Sequence, residues 1–179
     1  MVNSFASYPS LSGKNILITG GASGIGKEIV KGFAEQGANV AFLDLNDEAG
    51  ERLSRDIGKN VFFEKCDLKE VRNLKSSIEK LRAQIGLFDV LVNNAAHDDR
   101  HNWKEVTEDY WDDRFATNLR HQFFTIQSVA KDMIQKGGGS IVNIGSNSWM
   151  EAVGNFPAYA TAKSAVHGLT RTLARDLGK

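Results

Sequence analysis

Residues 14–26 read Lys-Asn-Ile-Leu-Ile-Thr-Gly-Gly-Ala-Ser-Gly-Ile-Gly, and this stretch decides the fold. Its first six residues form a short apolar run, which is typical of a β-strand buried on both faces of a sheet. The glycines that follow predict a tight turn. The apolar spacing from Lys27 to Gln36 then predicts a helix that ends near Gly37. The stretch therefore predicts a strand, a glycine-rich turn and a helix in direct succession.

The same alternation of strand and helix continues along the chain. Apolar runs predict further strands at 39–44, 61–66, 88–93 and 140–145. Helical spacing predicts helices at 47–57, 71–85 and 111–135, and a last helix that carries Tyr159 and runs to Leu177. Strict alternation favours a doubly wound parallel sheet of about five strands, covered on both faces by right-handed crossovers. We predict one Rossmann-like α/β domain over residues 12–179, preceded by an N-terminal arm over residues 1–11.

Charge and composition narrow the range of partners and the compartment. Lysine plus arginine equals aspartate plus glutamate at 22 each, so neither nucleic acid nor an anionic membrane is favoured as a partner. The single cysteine, Cys66, cannot form an internal disulfide, which is compatible with a reducing compartment. The first ten residues have neither a basic start nor an apolar run, and no later stretch reaches the length of a membrane span. We therefore expect a cytoplasmic protein that binds a small neutral ligand.

The glycine turn predicts a nucleotide site. A turn between a buried strand and a helix lets backbone N–H groups approach a pyrophosphate, and the positive end of the helix adds attraction. Asp44 ends the next strand, 18 residues beyond Gly26, where a carboxylate can accept hydrogen bonds from the adenosine ribose and would repel a 2′-phosphate. Neither Leu45 nor Ser23 offers a cation, so the pattern favours NAD over NADP. The alternatives are a purely structural turn and an ordinary surface carboxylate.

A pair of residues on the last predicted helix could carry acid–base chemistry. Tyr159 and Lys163 are four residues apart, so their side chains lie on one face of a helix. A cation close to a phenol favours the phenolate, and such a pair can act as a general base or acid. The alternative is a solvated helix face, since the two residue types also recur at this spacing by chance.

The glycine spacing and several later residues resemble the short-chain dehydrogenase/reductase family. Gly20, Gly24 and Gly26 have the spacing of that family's cofactor turn, and further matches follow in order: Asp67, Asn93-Asn94-Ala95, Asn118, Ser146, Tyr159 and Lys163. The resemblance covers residues 12–179 almost without a break. It implies a cofactor site of Gly20, Ser23, Gly24, Ile25, Gly26, Asp44, Asp67, Leu68, Asn94, Tyr159 and Lys163. One departure is Ala96, where the family has a second glycine, and its methyl group should narrow the wall beside the nicotinamide.

The resemblance also implies a catalytic set. Tyr159 would take the proton of the substrate hydroxyl while hydride passes to the nicotinamide, and Ser146 would hydrogen-bond the reacting oxygen. Lys163 would favour the phenolate and hold the nicotinamide ribose. Asn118 would position a water that links Lys163 to solvent. For Asn118 alone, a solvated helix residue is the competing interpretation.

Loops after the fourth and fifth predicted strands suggest the substrate. They carry hydrogen-bonding groups beside an aromatic ring, which suits a polyhydroxylated ligand with one apolar face. The candidate residues are His97, Ser146, Trp149 and Asn155. The sequences of these segments resemble those of the branch of the family that oxidises aldoses at carbon 1. The alternatives are that these loops are simply polar, or that the enzyme is a 3-oxoacyl thioester or ketone reductase of the same family.

A metal site is the competing interpretation for His97, Asp98, Asp99 and His101. We predict no metal, because this short loop lacks a helical His-x-x-x-His or Cys-x-x-Cys frame. His121 and His167 are predicted to be surface or packing residues, and Cys66 a small buried residue.

The chain ends at the close of the Tyr159 helix, whereas members of the family continue further. We therefore expect a sequence that lacks the family's C-terminal part, with an open edge on the fifth strand. This leaves a hypothesis of another class, a non-catalytic dinucleotide-binding or assembly module. The resemblance also implies a homodimer or homotetramer built on paired helices.

Overall fold

The computed structural model describes residues 6–178. Residues 1–5 of the predicted N-terminal arm lie outside this range. Within the arm, Pro9–Leu11 forms a short 3-10 helix. The backbone N–H of Tyr8 donates a 2.7 Å hydrogen bond to Oε1 of Gln36, which joins the arm to the end of the first long helix.

Five parallel strands form one sheet in the order β3-β2-β1-β4-β5. Their bounds are β1 Asn15–Thr19, β2 Asn39–Asp44, β3 Val61–Lys65, β4 Val90–Asn93 and β5 Ser140–Asn143. The central strands are apolar along their length because both faces of the sheet are covered. The predicted single α/β domain with a doubly wound parallel sheet is confirmed.

Six α-helices in the described part of the chain connect and cover the strands. They are α1 Gly24–Glu35, α2 Asp47–Ile57, α3 Val71–Ile85, α4 Glu108–Phe115, α5 His121–Gln135 and α6 Pro157–Leu177. Alternate residues of β1 enter opposite cores: Leu17 packs with side chains of α3 and α5, whereas Ile16 and Ile18 pack with side chains of α1 and α2. The sheet therefore separates two apolar layers.

The strand order determines where on the sheet a ligand site can form. The chain runs from β1 outward through β2 and β3, and then returns to place β4 on the other side of β1. The crossovers after β1 and β4 consequently leave in opposite directions. The carboxyl ends of these two strands open a crevice between them, which is where doubly wound folds bind ligands.

The predicted helix 111–135 is interrupted. The chain forms α4, then a wider π-type turn over Ala116–Arg120, and then α5. Nδ2 of Asn118 donates a 3.0 Å hydrogen bond to the carbonyl oxygen of Arg114. In a regular α-helix that carbonyl would accept from the backbone N–H of Asn118, so the side chain competes with the helical ladder at this point. Single π-type turns of this kind often occur at functional sites.

Within residues 6–178, the fifth strand has the open edge that was predicted. β5 is an outer strand, and Val142 within it is 45% exposed. A cleft of about 490 Å³ lies beside β5, between α5 and α6, and is lined by Met133, Ile141 and Leu173 among others. No helix of the described part combines the length and the apolar character needed to cross a bilayer.

Candidate active site

Every residue predicted to bind the cofactor lines one cleft at the carboxyl ends of β1 and β4. The cleft has a volume of about 830 Å³, within the range of small-molecule sites. Its lining includes Gly20, Ser23, Gly24, Ile25, Gly26, Asp44, Asp67, Leu68, Asn94, Tyr159 and Lys163. These residues come from segments far apart in sequence, and the sheet topology brings them together.

Two glycines shape the turn between β1 and α1. Gly24 has φ of 51°, a left-handed conformation that side chains with a Cβ rarely adopt. A Cβ on Gly26 would overlap the carbonyl oxygen of Gly20 and the Asn94 amide. Among the described residues no side chain caps the start of α1 at Ser23, so the first-turn N–H groups of the helix are left for an anion.

Asp44 supports the glycine turn from the end of β2. Its Oδ2 accepts a 2.9 Å hydrogen bond from the N–H of Ala22, and its Oδ1 accepts one of 2.9 Å from the N–H of Asn46. A carboxylate offers about four acceptor positions, so two remain for hydroxyl groups of a ligand. Asp44 is therefore both a support of the turn and a candidate ribose ligand.

Asn94 joins β4 to the glycine turn. Its Nδ2 donates to the carbonyl oxygens of Thr19 and Gly20 at 3.1 and 3.0 Å. The backbone N–H groups of Asn94 and Ala95 both donate to Oγ1 of Thr19 at 3.1 Å. This network fixes the position of β4 relative to β1. Contact between Asn94 and a cofactor ribose stays a prediction.

Asp67 and Lys69 follow β3 and line the same cleft as Asp44. Oδ1 of Asp67 accepts a 3.0 Å hydrogen bond from the N–H of Lys69, which closes a local turn. Nζ of Lys69 lies 2.8 Å from Oδ1 of Asp113, and this contact raises the pKa of the lysine. Lys69 lines the cleft but was not predicted, because no sequence motif distinguished it from other surface lysines.

Tyr159 and Lys163 lie together on α6 at the cleft. Nζ of Lys163 is 5.8 Å from the centre of the Tyr159 ring and donates a 2.7 Å hydrogen bond to the carbonyl oxygen of Ile144. Lys163 is only 2% exposed, and burial lowers the pKa of its ammonium group from 10.5 to about 8. The predicted juxtaposition of a phenol and an amine is thus present.

Ser146 lies two residues beyond Ile144, in the loop after β5. Its Oγ donates a 2.8 Å hydrogen bond to Oγ of Ser148 and accepts one of 3.2 Å from the N–H of Ser148. Ile144 and Gly145 line the cleft, but Ser146 is outside its lining. The catalytic role of Ser146 stays a prediction.

Asn118 holds the main chain of His97 from both sides. Its Oδ1 accepts a 2.8 Å hydrogen bond from the N–H of His97, and its Nδ2 donates one of 3.1 Å to the carbonyl oxygen of the same residue. The side chain is fully buried, so the interpretation as a solvated helix residue is wrong. Positioning of a water by Asn118 stays a prediction.

His97 lines the cleft together with Arg114, a residue that was not predicted. A guanidinium nitrogen of Arg114 contacts Nδ1 of His97, and two others contact the carboxylate of Asp113. Arg114 lies one helical turn before Asn118, so the spacing of these two residues could have identified it.

Trp149 and Asn155, predicted to bind substrate, lie outside the lining of the cleft. Trp149 is 37% exposed, and the centre of its ring lies 6.3 Å from that of His167. Asn155 has φ of 67°, and its carbonyl oxygen accepts a 2.7 Å hydrogen bond from the N–H of His101. Their role in binding stays a prediction.

The two histidines of the helices and the single cysteine are packing or surface residues, as predicted. His121 is fully buried, and burial lowers the pKa of its imidazole to about 4. His167 is exposed. Cys66 is buried, which raises the pKa of its thiol. Within residues 6–178, no group of three or more histidine, cysteine, aspartate or glutamate side chains is arranged to hold a metal ion.

The fold and the cleft define a class. A doubly wound parallel sheet, with a glycine turn where the strand order reverses, is characteristic of Rossmann-like nucleotide-binding domains. A family profile described as "short chain dehydrogenase" matches residues 14–179. The chain belongs to the short-chain dehydrogenase family, which confirms the resemblance drawn from the motifs. The family consists of oxidoreductases that use a nicotinamide cofactor and act on CH–OH groups.

Named relatives include sugar dehydrogenases. The chain is 46% identical over 178 residues to a D-xylose 1-dehydrogenase of Caulobacter vibrioides, covering 98% of this chain and 70% of that protein. It is 43% identical over 175 residues to a probable galactose dehydrogenase of Rhizobium meliloti, covering 96% and 68%. The ligand-free structure of Thermoplasma acidophilum aldohexose dehydrogenase superposes with a TM-score of 0.85 at 29% identity, covering 95% of this chain and 64% of that chain. The predicted resemblance to the aldose dehydrogenase branch is confirmed.

Proposed function

We propose that this protein is an NAD-dependent oxidoreductase that transfers hydride between the carbon 1 hydroxyl of an aldose and the nicotinamide of the cofactor. One observation carries the proposal: Tyr159 and Lys163 line the same cleft as the glycine turn and Asp44. A proton acceptor beside a dinucleotide site provides both transfers that a dehydrogenase needs, one of a proton and one of a hydride.

The residues of the cleft fit the proposed cofactor. The nicotinamide group supplies the hydride acceptor when it is bound. The N–H groups at the start of α1 would bind the pyrophosphate, since the space beside Gly24 is open and Gly26 lets the helix start pack closely against Gly20. Asp44 would accept hydrogen bonds from the adenosine ribose. Asp67 and Leu68 would contact the adenine edge, with Asn94 and Lys163 near the nicotinamide ribose.

The charges in the cleft favour NAD over NADP. Asp44 places a carboxylate where a 2′-phosphate would lie, and the adjacent residues Leu45 and Ser23 carry no charge. Lys69 and Arg114 also line the cleft, but both are paired with Asp113, and Nζ of Lys69 lies 4.0 Å from the carboxylate of Asp67 as well. Two carboxylates therefore offset the two cations, which attract a further phosphate less strongly than unpaired cations would.

The proton would move through Tyr159. Its phenolic oxygen would accept the proton of the sugar hydroxyl, and the nearby Lys163 ammonium would stabilise the phenolate. The hydroxyl of Ser146 would donate a hydrogen bond to the reacting oxygen. Asn118 would support this arrangement by fixing His97 and by positioning a water near Lys163.

The sugar substrate is supported by the relatives and by the loops around the cleft. Both of the sugar dehydrogenases compared by sequence are more than 40% identical to this chain. His97 offers an imidazole at the cleft, and the loop after β5 carries Ser146, Trp149 and Asn155. These residues supply hydrogen bonds and one aromatic face for a polyhydroxylated ligand.

A turnover assay separates the three candidate functions. The protein would be incubated with NAD or NADP and a panel of xylose, arabinose, galactose and rhamnose, and formation of reduced cofactor would be followed by absorbance. Oxidation of an aldose with NAD would support the proposal. In a second arm with NADPH and a 3-oxoacyl thioester, consumption of NADPH, together with no aldose oxidation in the first arm, would instead indicate the reductase. Binding of NADH without turnover of any substrate would indicate a non-catalytic module.

We also propose a homodimer or homotetramer in the cytoplasm. Much of the surface of α6 is exposed, and Phe123 on α5 is 39% exposed, so the two helices leave apolar area for a second copy. The thiol of Cys66 is free, which is compatible with a reducing compartment.

A further inference from the structure

The helix that carries Tyr159 begins without a cap from its own flanking side chains. The N-cap residue, Phe156, has no polar side chain, and Pro157 at the first helical position has no N–H to satisfy. The N–H of Ala158, which has no carbonyl partner within the helix, instead donates to Nε2 of His101 at 3.3 Å. An imidazole from the loop after β4 thus takes the place of a helix cap.

The neighbours of His101 determine its tautomer. Nδ1 lies 2.9 Å from the backbone carbonyl oxygen of Asp99, and a carbonyl oxygen can only accept a hydrogen bond. The N–H of Ala158 can only donate. Nδ1 therefore carries the hydrogen, and Nε2 carries the lone pair. Oη of Tyr110, 2.9 Å from Nδ1, is a second acceptor for the same N–H. One neutral form of the ring satisfies all three contacts.

Two further contacts join the same segments. The N–H of His101 donates a 2.7 Å hydrogen bond to the carbonyl oxygen of Asn155. The Arg100 guanidinium lies 3.9 Å from the centre of the Phe156 ring, and Nη1 donates to the carbonyl oxygen of Gly154 at 3.3 Å. Arg100 and His101 therefore hold the segment 154–158, which includes the first two residues of α6. The left-handed conformation of Asn155 is stabilised by this attachment.

We propose that His101 is a positioning residue that caps α6 and thereby fixes Tyr159 at the cleft. Tyr159 directly follows Ala158, and the N–H of Ala160 makes the first hydrogen bond of the helix, to the carbonyl oxygen of Phe156. The same loop lines the cleft through His97 and Asp98. It therefore connects the nucleotide cleft to the start of the Tyr159 helix. The part of this inference that concerns catalysis rests on the proposed role of Tyr159.

Two substitutions distinguish the role of Nε2 of His101 from that of Nδ1. Glutamine in His101→Gln can place its amide oxygen where Nε2 lies, and so keep an acceptor for the N–H of Ala158. Asparagine in His101→Asn reaches only the position of Nδ1, and so removes the cap while it keeps a polar side chain. Tyr110→Phe is a control, because it leaves both Nε2 and the contact with Asp99 in place.

Hydrogen exchange of residues 156–162 measures the cap without any need for activity. We expect exchange about fivefold faster in His101→Asn, the factor that corresponds to loss of an ordinary cap, and within about twofold of wild type in His101→Gln and Tyr110→Phe. In the aldose assay, kcat should fall about tenfold in His101→Asn, with the KM for NAD within about twofold. His101→Gln should restore kcat.

If residues 156–162 exchange at the wild-type rate in His101→Asn, Nε2 does not cap α6. The same conclusion would follow if these residues exchange equally fast in both His101 variants. A wild-type protein that oxidises no aldose would refute the proposed function, and the exchange comparison would still decide whether His101 caps the helix.

Discussion

The ammonium group of Lys163 donates a 2.7 Å hydrogen bond to the backbone carbonyl oxygen of Ile144. This bond ties the first turns of α6 to the chain just beyond β5, at the edge of the cleft. It also holds a nearly fully buried amine beside the Tyr159 ring. The arrangement costs stability, because a charge is kept out of water with one hydrogen-bond partner from the described chain.

The lowered pKa of Lys163 predicts a particular pH dependence of stability. Burial lowers this pKa from 10.5 to about 8, so between these values the unfolded state binds more protons than the folded state. The free energy of unfolding should therefore rise with pH in this interval. Relative to Lys163→Met, wild type should gain up to about 3 kcal/mol between pH 7 and pH 10. Urea unfolding of both proteins across this range measures the difference.

The comparison with Lys163→Met matters because other lysines and tyrosines also titrate in this range. The contributions of groups far from Lys163 are common to both proteins and cancel in the difference, and introducing Tyr159→Phe into both proteins removes that of the adjacent tyrosine. Parallel curves for the two proteins would mean that Lys163 has an ordinary pKa and is solvated in solution.

The glycine turn gives a second prediction, with a matched control on the same helix. Gly26→Ala places a Cβ against the Gly20 carbonyl oxygen and the Asn94 amide, so it should abolish NADH binding and lower the free energy of unfolding by about 2 kcal/mol or more. Gly32→Ala, also in α1, meets no atom of the described chain within 4 Å. It should stabilise the protein by about 1 kcal/mol and leave binding unchanged. Fluorescence titration with NADH and thermal unfolding measure both effects.

Asp44→Asn tests the basis of the cofactor preference. The substitution removes the negative charge but keeps an amide of similar shape, so the ratio of kcat/KM for NAD to that for NADP should fall about tenfold or more. Asp47→Asn, in which the lost carboxylate pairs with Lys65 on the surface, is the control and should leave the ratio unchanged. An unchanged ratio in Asp44→Asn would show that another group selects the cofactor.

The proposed subunit contact predicts the molecular mass of the protein in solution. Light scattering should give a dimer or tetramer for wild type, and Phe123→Asp on α5 should shift the population towards monomer, since a charge would replace an apolar contact. Val142→Asp, on the exposed strand β5, is a comparison at a different apolar surface and should leave the mass unchanged. A monomeric wild type would contradict the proposed assembly.

The alternation of strands and helices could be predicted from sequence because apolar periodicity follows from burial. The strand at 39–44 and the helices at 47–57 and 71–85 have the predicted bounds. The interruption at Asn118 could not be predicted in this way. It depends on hydrogen bonds to His97 and Arg114, and the contact with His97 forms only when distant segments pack together.

The grouping of the predicted cofactor residues in one cleft could be predicted because these residues follow strand ends, and strand ends in a parallel sheet meet at one edge. The conformations of the loop residues were harder to predict. The direction of Trp149 and the left-handed backbone of Asn155 depend on contacts with His167 and His101, which no local pattern indicates. For the same reason the contact of His101 with the start of α6 could not be predicted from sequence, although the loop that contains His101 was a candidate substrate or metal site.

The most direct test of the central claim, that Tyr159 is the proton acceptor of the cleft, is aldose oxidation by Tyr159→Phe. The substitution removes one oxygen atom and keeps the ring that packs 5.4 Å from Phe156, so the fold and NADH binding should be retained. Tyr8→Phe, at an exposed tyrosine in the arm, is the matched control and should behave as wild type. We predict a fall in kcat of about a hundredfold or more, with the affinity for NADH within about twofold of wild type. A Tyr159→Phe protein that oxidises the aldose at the wild-type rate would contradict it.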